Sequence, residues 1–139
     1  MTPKREPRTQ SCSRDDARTR LEHARKFLDV ATLIAEPGQD LEYSSAAAAL
    51  AVLAGIAASD AACCQVLGRR SRGQDHRQAV DLVGQIEPGG ADAAKALGRL
   101  LNLKDQAHYG LFDIAGKDLQ AALREAEALV TFAGDVLRR

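Results

Sequence analysis

The sequence predicts an all-α protein, an antiparallel four- to five-helix bundle, on three observations. Alanine dominates an apolar fraction of 45%, aromatic residues make up only 4%, and tryptophan is absent. Alanine and leucine are the strongest helix formers, whereas strands draw on the β-branched and aromatic residues that are scarce here. Apolar residues recur at steps of three and four, and no stretch alternates with period two for long enough to make a strand. Glycine and proline punctuate the segments at Pro37-Gly38, Gly68, Pro88-Gly89-Gly90 and Gly110. At 139 residues the chain suits one domain with its own core.

Residues 1–12 hold two prolines and the cations Lys4, Arg5 and Arg8 without periodic apolar positions. They read as a disordered basic tail ahead of a helical domain over residues 13–139. Ser13 is a good N-cap for the first helix, with Asp15 and Asp16 placed to complement its dipole. Ala17, Leu21, Ala24, Leu28 and Ala31 make its inner stripe. The second helix runs from about Leu41 or Glu42 to Leu67, with no charge between Tyr43 and Ser59. Such a helix is surrounded by protein, and its most apolar stretch, Ala46 to Ala58, falls short of the roughly 20 residues a membrane span needs. Asp75 is the expected cap of a third, shorter helix with Ala79, Leu82, Val83 and Ile86 inside. A fourth begins near Ala91, carries Ala93, Leu97, Leu100 and Leu101, and continues to Tyr109. A fifth starts near Lys117 and turns Leu119, Ala122, Ala126, Leu129, Ala133 and Val136 inward.

Formal net charge is zero, so no global field marks a nucleic-acid or membrane binder, and any such role must rest on local patches. The start of the chain is polar and basic without an apolar run, which predicts no signal peptide and a cytoplasmic protein. Cys12 lies in the polar tail, and the neighbours Cys63 and Cys64 point to different sides of a helix. Free, buried thiols are therefore expected rather than a disulfide framework or a zinc site. His23 and His76 have no partner at ligand spacing, so no metal and no cofactor are expected.

Two places are over-specified for a plain bundle. Asp60 interrupts the apolar second helix, where a buried carboxylate pairs with an arginine or a lysine to fix packing, or serves a site; Arg70 and Lys104 are the candidate partners. Lys104 and His108 sit one turn apart on a single helix face, in line with Leu97 and Leu101. An inward amine and imidazole are costly unless paired or at work in a cleft. Histidine titrates near neutrality and suits general acid–base chemistry, while lysine can offset charge on a phosphorane-like state. The plainer alternative is a histidine bonded locally and a lysine that snorkels outward. Arg69, Arg70 and Arg72, with Arg77 beyond, form a basic turn that either grips phosphate or is simply solvated at a helix end.

The order of elements, the acidic residue in the second helix and the segment Leu103-Lys104-Asp105-Gln106-Ala107-His108-Tyr109-Gly110 resemble the HEPN superfamily. That resemblance implies an all-helical bundle, commonly dimeric, of the kind found in toxin–antitoxin and other defence systems, many of them metal-independent ribonucleases. The family motif is an arginine, a polar residue and a following histidine. Lys104 stands in the arginine's place, Asp105 in the polar place and His108 in the histidine's place. Lysine lacks the planar fork of arginine, and the spacing is one residue short; Arg99 as the arginine would make it too long. The implied site is Lys104, Asp105 and His108 as catalytic residues, with Tyr109, Asp60, Arg70 and Arg72 binding ligand. The implied partners are a second copy of the chain, RNA or a nucleotide, and an antitoxin protein. A catalytically degenerate module that binds a protein partner or a nucleotide is the alternative.

Overall fold

The structure, a computed structural model, describes residues 8–35, 43–72, 76–109 and 116–139, with the side chains of 105–109 excepted. Among the described residues there are five helices: α1 (Arg14–Ile34), α2 (Ser44–Leu67), α3 (His76–Gly84), α4 (Gly90–Tyr109) and α5 (Gly116–Arg138). Two three-residue strands, β1 (Thr9–Ser11) and β2 (Arg69–Ser71), pair antiparallel with Gln10 opposite Arg70. The all-α expectation holds for the class. The strand pair corrects the expectation of helices alone, because pairing over three residues leaves no period in the sequence to read.

Helix α1 starts where its capping chemistry places it. The Ser13 hydroxyl accepts a hydrogen bond from the Asp16 amide at 3.1 Å, and the Asp16 carboxylate accepts from the Ser13 amide at 2.8 Å. Two donors that the first helical turn leaves without partners are thereby satisfied. Ala17, Leu21, Ala24 and Ala31 are buried as the spacing predicts, and Leu28 packs at the edge of the core. The Pro37-Gly38 stop and the Asp75 cap lie outside the described residues.

Helix α2 is the axis of the bundle. Its alanines at 47, 48, 51, 54, 57, 58, 61 and 62 are each 1% exposed or less. By length and composition it could cross a membrane, yet most of its surface is covered by the other helices. Helices α1 and α5 lie along it and α4 crosses it, while α3 touches it near one end and packs mainly on α4. Gly55 shows how close that crossing is: a Cβ there would stand 2.4 Å from Leu100 Cδ1 and 3.1 Å from Leu129 Cδ1. Both leucines are almost fully buried, so neither can swing away.

The ends of the helices are closed by local chemistry. Gly68 adopts φ 70°, the left-handed conformation that stops α2, and its amide donates to the Cys64 carbonyl at 3.2 Å. At the α3–α4 corner a Cβ on Gly90 would meet the Val83 carbonyl oxygen at 2.6 Å, so only glycine fits. Ile86, beyond the end of α3, is still only 1% exposed. Arg139 donates to the Pro88 carbonyl at 3.0 Å and ties the end of α5 to this corner.

Two further expectations need correction. Cys12 and Cys64 are joined by a disulfide across 52 residues, and Cys63 is the free, buried thiol among the described cysteines. The reason is topological: antiparallel α1 and α2 bring the last turns of α2 beside the residues that precede α1. A cross-link over that span stabilises by about 4 kcal/mol if its effect is on the unfolded chain alone. Residues 8–12 accordingly belong to the folded body rather than to a tail. The Cys12 amide donates to the Gly68 carbonyl at 3.0 Å, and the Arg72 amide to the Arg8 carbonyl at 2.8 Å.

Gly55→Ala is expected to destabilise the bundle by about 1–3 kcal/mol, because its methyl enters a filled crossing. Gly98→Ala, where nothing lies within 4 Å of the new methyl, should instead stabilise α4 by about 0.5–1 kcal/mol. Chemical denaturation of the two variants checks the pair, and equal signs would refute the packing argument.

Candidate active site

The amine on α4 meets an imidazole, though a different one from that anticipated. Lys104 Nζ lies 2.7 Å from His76 Nε2, and both side chains are partly buried. An ammonium at this distance donates to Nε2 when the ring carries its proton on Nδ1. His76 is the first residue of α3, and Lys104 lies in the last two turns of α4. The packing of α3 against α4 therefore builds the pair. Spacing in the sequence could not show it, because the two residues sit 28 apart.

Helix α4 remains helical through Tyr109, so Asp105, His108 and Tyr109 occupy the turn that follows Lys104, His108 one turn on and on the same side. Their side chains lie outside the described residues. Arg99, the alternative motif arginine, donates to Glu125 of α5 at 3.3 Å and is exposed. It serves the α4–α5 contact rather than the lysine–histidine pair.

Asp60 is 7% exposed and ion-paired, and its partner is Arg20 of α1, 3.0 Å away, rather than Arg70 or Lys104. Burial raises its carboxyl above the ordinary range, against the opposing pull of Arg20 and, more weakly, of Arg70. The sequence did hold a signal for Arg20. It stands three residues after Ala17 and four before Ala24, on the buried side of α1, where a cation needs a partner. Burial and the nearby Asp60 charge also push the Cys63 thiol up to about 12.

The basic turn is strand β2. The Arg70 guanidinium donates to Gln10 Oε1 at 3.1 Å and to the Ser71 carbonyl at 3.4 Å, while Arg72 is exposed. Arg70 therefore faces β1 and a cavity of about 170 Å³ that it lines with Arg20, Asp16 and the disulfide. The single cleft anticipated from Lys104 to Asp60 divides into two: Lys104 joins His76, and Asp60 joins Arg20.

A larger groove, about 650 Å³, runs between α4 and α5. Ala93, Ala96, Ala128 and Phe132 floor it, with Asp92 and Arg124 among its charged rim. Glu127, Asp135 and Arg139 add further charge to its lining. Among the described residues no three histidine, cysteine or carboxylate side chains converge as metal ligands. The site and fold define a ribbon-clamped helical bundle with an interhelical lysine–histidine contact. No protein-family model and no curated protein matches the chain.

The raised carboxyl of Asp60 has a definite sign in stability. Its folded-state pKa lies above the unfolded 3.8, so the folded form holds the proton more tightly. Its contribution is most favourable below 3.8 and is lost as pH rises through the folded value. Asp60→Asn is expected to flatten that part of the stability–pH profile. Arg20→Leu strands the carboxylate and should cost about 1–3 kcal/mol at neutral pH, a loss that Asp60→Asn in the same chain reduces. Urea titrations across the acid range read both effects.

Proposed function

We propose that the chain is a HEPN-like domain that cleaves RNA without a metal, through Lys104 and the histidines around it. The Lys104–His76 contact carries this reading: it sets a lysine amine, suited to phosphate, 2.7 Å from an imidazole suited to proton transfer. The continuous helix that sets His108 one turn beyond Lys104, and the arginine-rich strand that leads into His76, support it.

In the proposed reaction the ribose 2′-oxygen bonds to the adjacent phosphorus while the bond from phosphorus to the 5′-oxygen breaks. Lys104 turns from His76 towards the phosphate and offsets charge on its free oxygens. His76 Nε2 takes the 2′-hydroxyl proton, and His108 gives a proton to the departing 5′-oxygen. Asp105 and Tyr109 orient the cleft, and Arg72 holds the backbone. Arg70 shapes the strand from which Arg72 projects. The reading puts the protein in the cytoplasm, with an antitoxin protein as its restraint and no membrane contact.

Purified protein in excess chelator should convert single-stranded RNA to products ending in a 2′,3′-cyclic phosphate, with a bell-shaped pH profile. His108→Ala and Lys104→Ala should each slow cleavage roughly 100-fold or more, and His76→Ala roughly 10- to 100-fold. Intact RNA, or variants that cut as fast as the parent, would sink the nuclease reading.

The α4–α5 groove favours a second reading, an interaction module whose occupant is another copy of the chain. Alanine floors allow close helix approach, and a rim that mixes Asp92, Glu127 and Asp135 with Arg124 and Arg139 is complementary to itself. Ala128 is exposed at its centre. Ala128→Arg should convert a dimer to a monomer in sedimentation without loss of helicity; a monomeric parent refutes this assembly.

A further inference from the structure

The disulfide sits where local structure is least able to hold itself. Strand β1 is Thr9, Gln10 and Ser11, without an apolar side chain, and it pairs with three residues of β2. A two-stranded ribbon of that length is marginal in water. Its other ties are two flanking backbone hydrogen bonds and the Arg70–Gln10 contact, so the Cys12–Cys64 bond is its one covalent anchor to α2. Strand β2 also packs against α3, whose first residue, His76, meets Lys104.

The two sulfurs are unequally placed. Cys64 is 2% exposed, whereas Cys12 is half-buried, and both line the 170 Å³ cavity together with Arg20 and Arg70. An approaching thiolate therefore reaches Cys12. Guanidinium groups on the wall favour both that anion and a departing Cys64 thiolate, while Asp16 is the opposing charge on the same wall. Neighbouring Cys63 stays protonated at neutral pH, so exchange is directed outward rather than along the helix.

We propose that Cys12–Cys64 is a thiol–disulfide exchange site that switches strand β2 and the adjoining Arg72 between clamped and released states, with a dithiol as its reductant. One reductant thiolate bonds to Cys12 Sγ, the bond between the two protein sulfurs breaks, and Cys64 leaves as a thiolate that takes up a proton. The second reductant thiol then attacks the mixed disulfide and releases Cys12. Two electrons and two protons pass to the protein, and the reductant becomes a disulfide. Control of RNA cleavage by the switch rests on the functional reading above; the exchange itself does not.

The test treats folded, air-oxidised protein with dithiothreitol, traps thiols with iodoacetamide and maps them by mass spectrometry. Cys12 and Cys64 should label only after reduction, and Cys63 only in denaturant. Trypsin should then cut after Arg69, Arg70 or Arg72 roughly tenfold faster or more, while α4 and α5 stay resistant. Cys12→Ser should show that pattern without reductant. Labelling of Cys12 and Cys64 before reduction overturns the proposal. So does a disulfide that resists dithiothreitol until unfolding, an unchanged cleavage pattern, or loss of the whole helical signal on reduction. The same oxidised and reduced samples are assayed on RNA. No cleavage in either state, with the protease switch intact, removes the nuclease reading and leaves the exchange site standing.

Discussion

The bundle depends on how closely its helices approach α2. A central helix with ten alanines among its 24 residues offers little apolar area per residue, so stability has to come from close contact between backbones more than from large interlocking side chains. Gly55 marks the tightest point, where Leu100 of α4 and Leu129 of α5 occupy the space a methyl would need. The larger side chains are supplied by the outer helices, Leu97 and Leu100 from α4 and Leu129 and Val136 from α5. This division of labour sets the spacing of α4 relative to its neighbours. It thereby fixes where Lys104 emerges.

Polar chemistry is confined to the margins of that core. Asp60 lies within α2 yet meets Arg20 at the side where α1 begins, and Lys104 meets His76 where α3 begins. Each pair joins residues far apart in sequence across a helix–helix seam. The Asp60–Arg20 pair is structural in character: a carboxylate whose burial is unfavourable, held by a guanidinium that is itself partly exposed. The lysine–histidine contact joins an amine of α4 to an imidazole of α3 at 2.7 Å, with both side chains only partly buried.

Much of the fold was legible from residue pattern. Steps of three and four placed α1 and α5, which each bury one stripe along α2, the uncharged run from Tyr43 to Ser59 placed α2 itself, and Ser13 marked the start of α1 through its capping chemistry. The inner residues of α5 were read correctly for the same reason. What escaped was contact between distant segments. The three-residue strands carry no period, Cys12 and Cys64 are 52 residues apart, and His76 meets Lys104 only because α3 folds back on α4. Arg20 lay within reach of sequence reasoning, as a cation on an otherwise apolar stripe. Lys104 is partly buried beside His76, a contact that only the topology reveals.

The alanine content of α2 has a mechanical corollary. Alanine has no side-chain rotamers to lose on folding and none to redistribute afterwards. A helix lined by such residues gives its neighbours almost nothing to rearrange around, so it behaves as a stiff spindle. Thermal motion is then displaced to the periphery, into the short ribbon. The parts of this molecule able to respond to chemistry are therefore its rim, turning about an axle that does not yield.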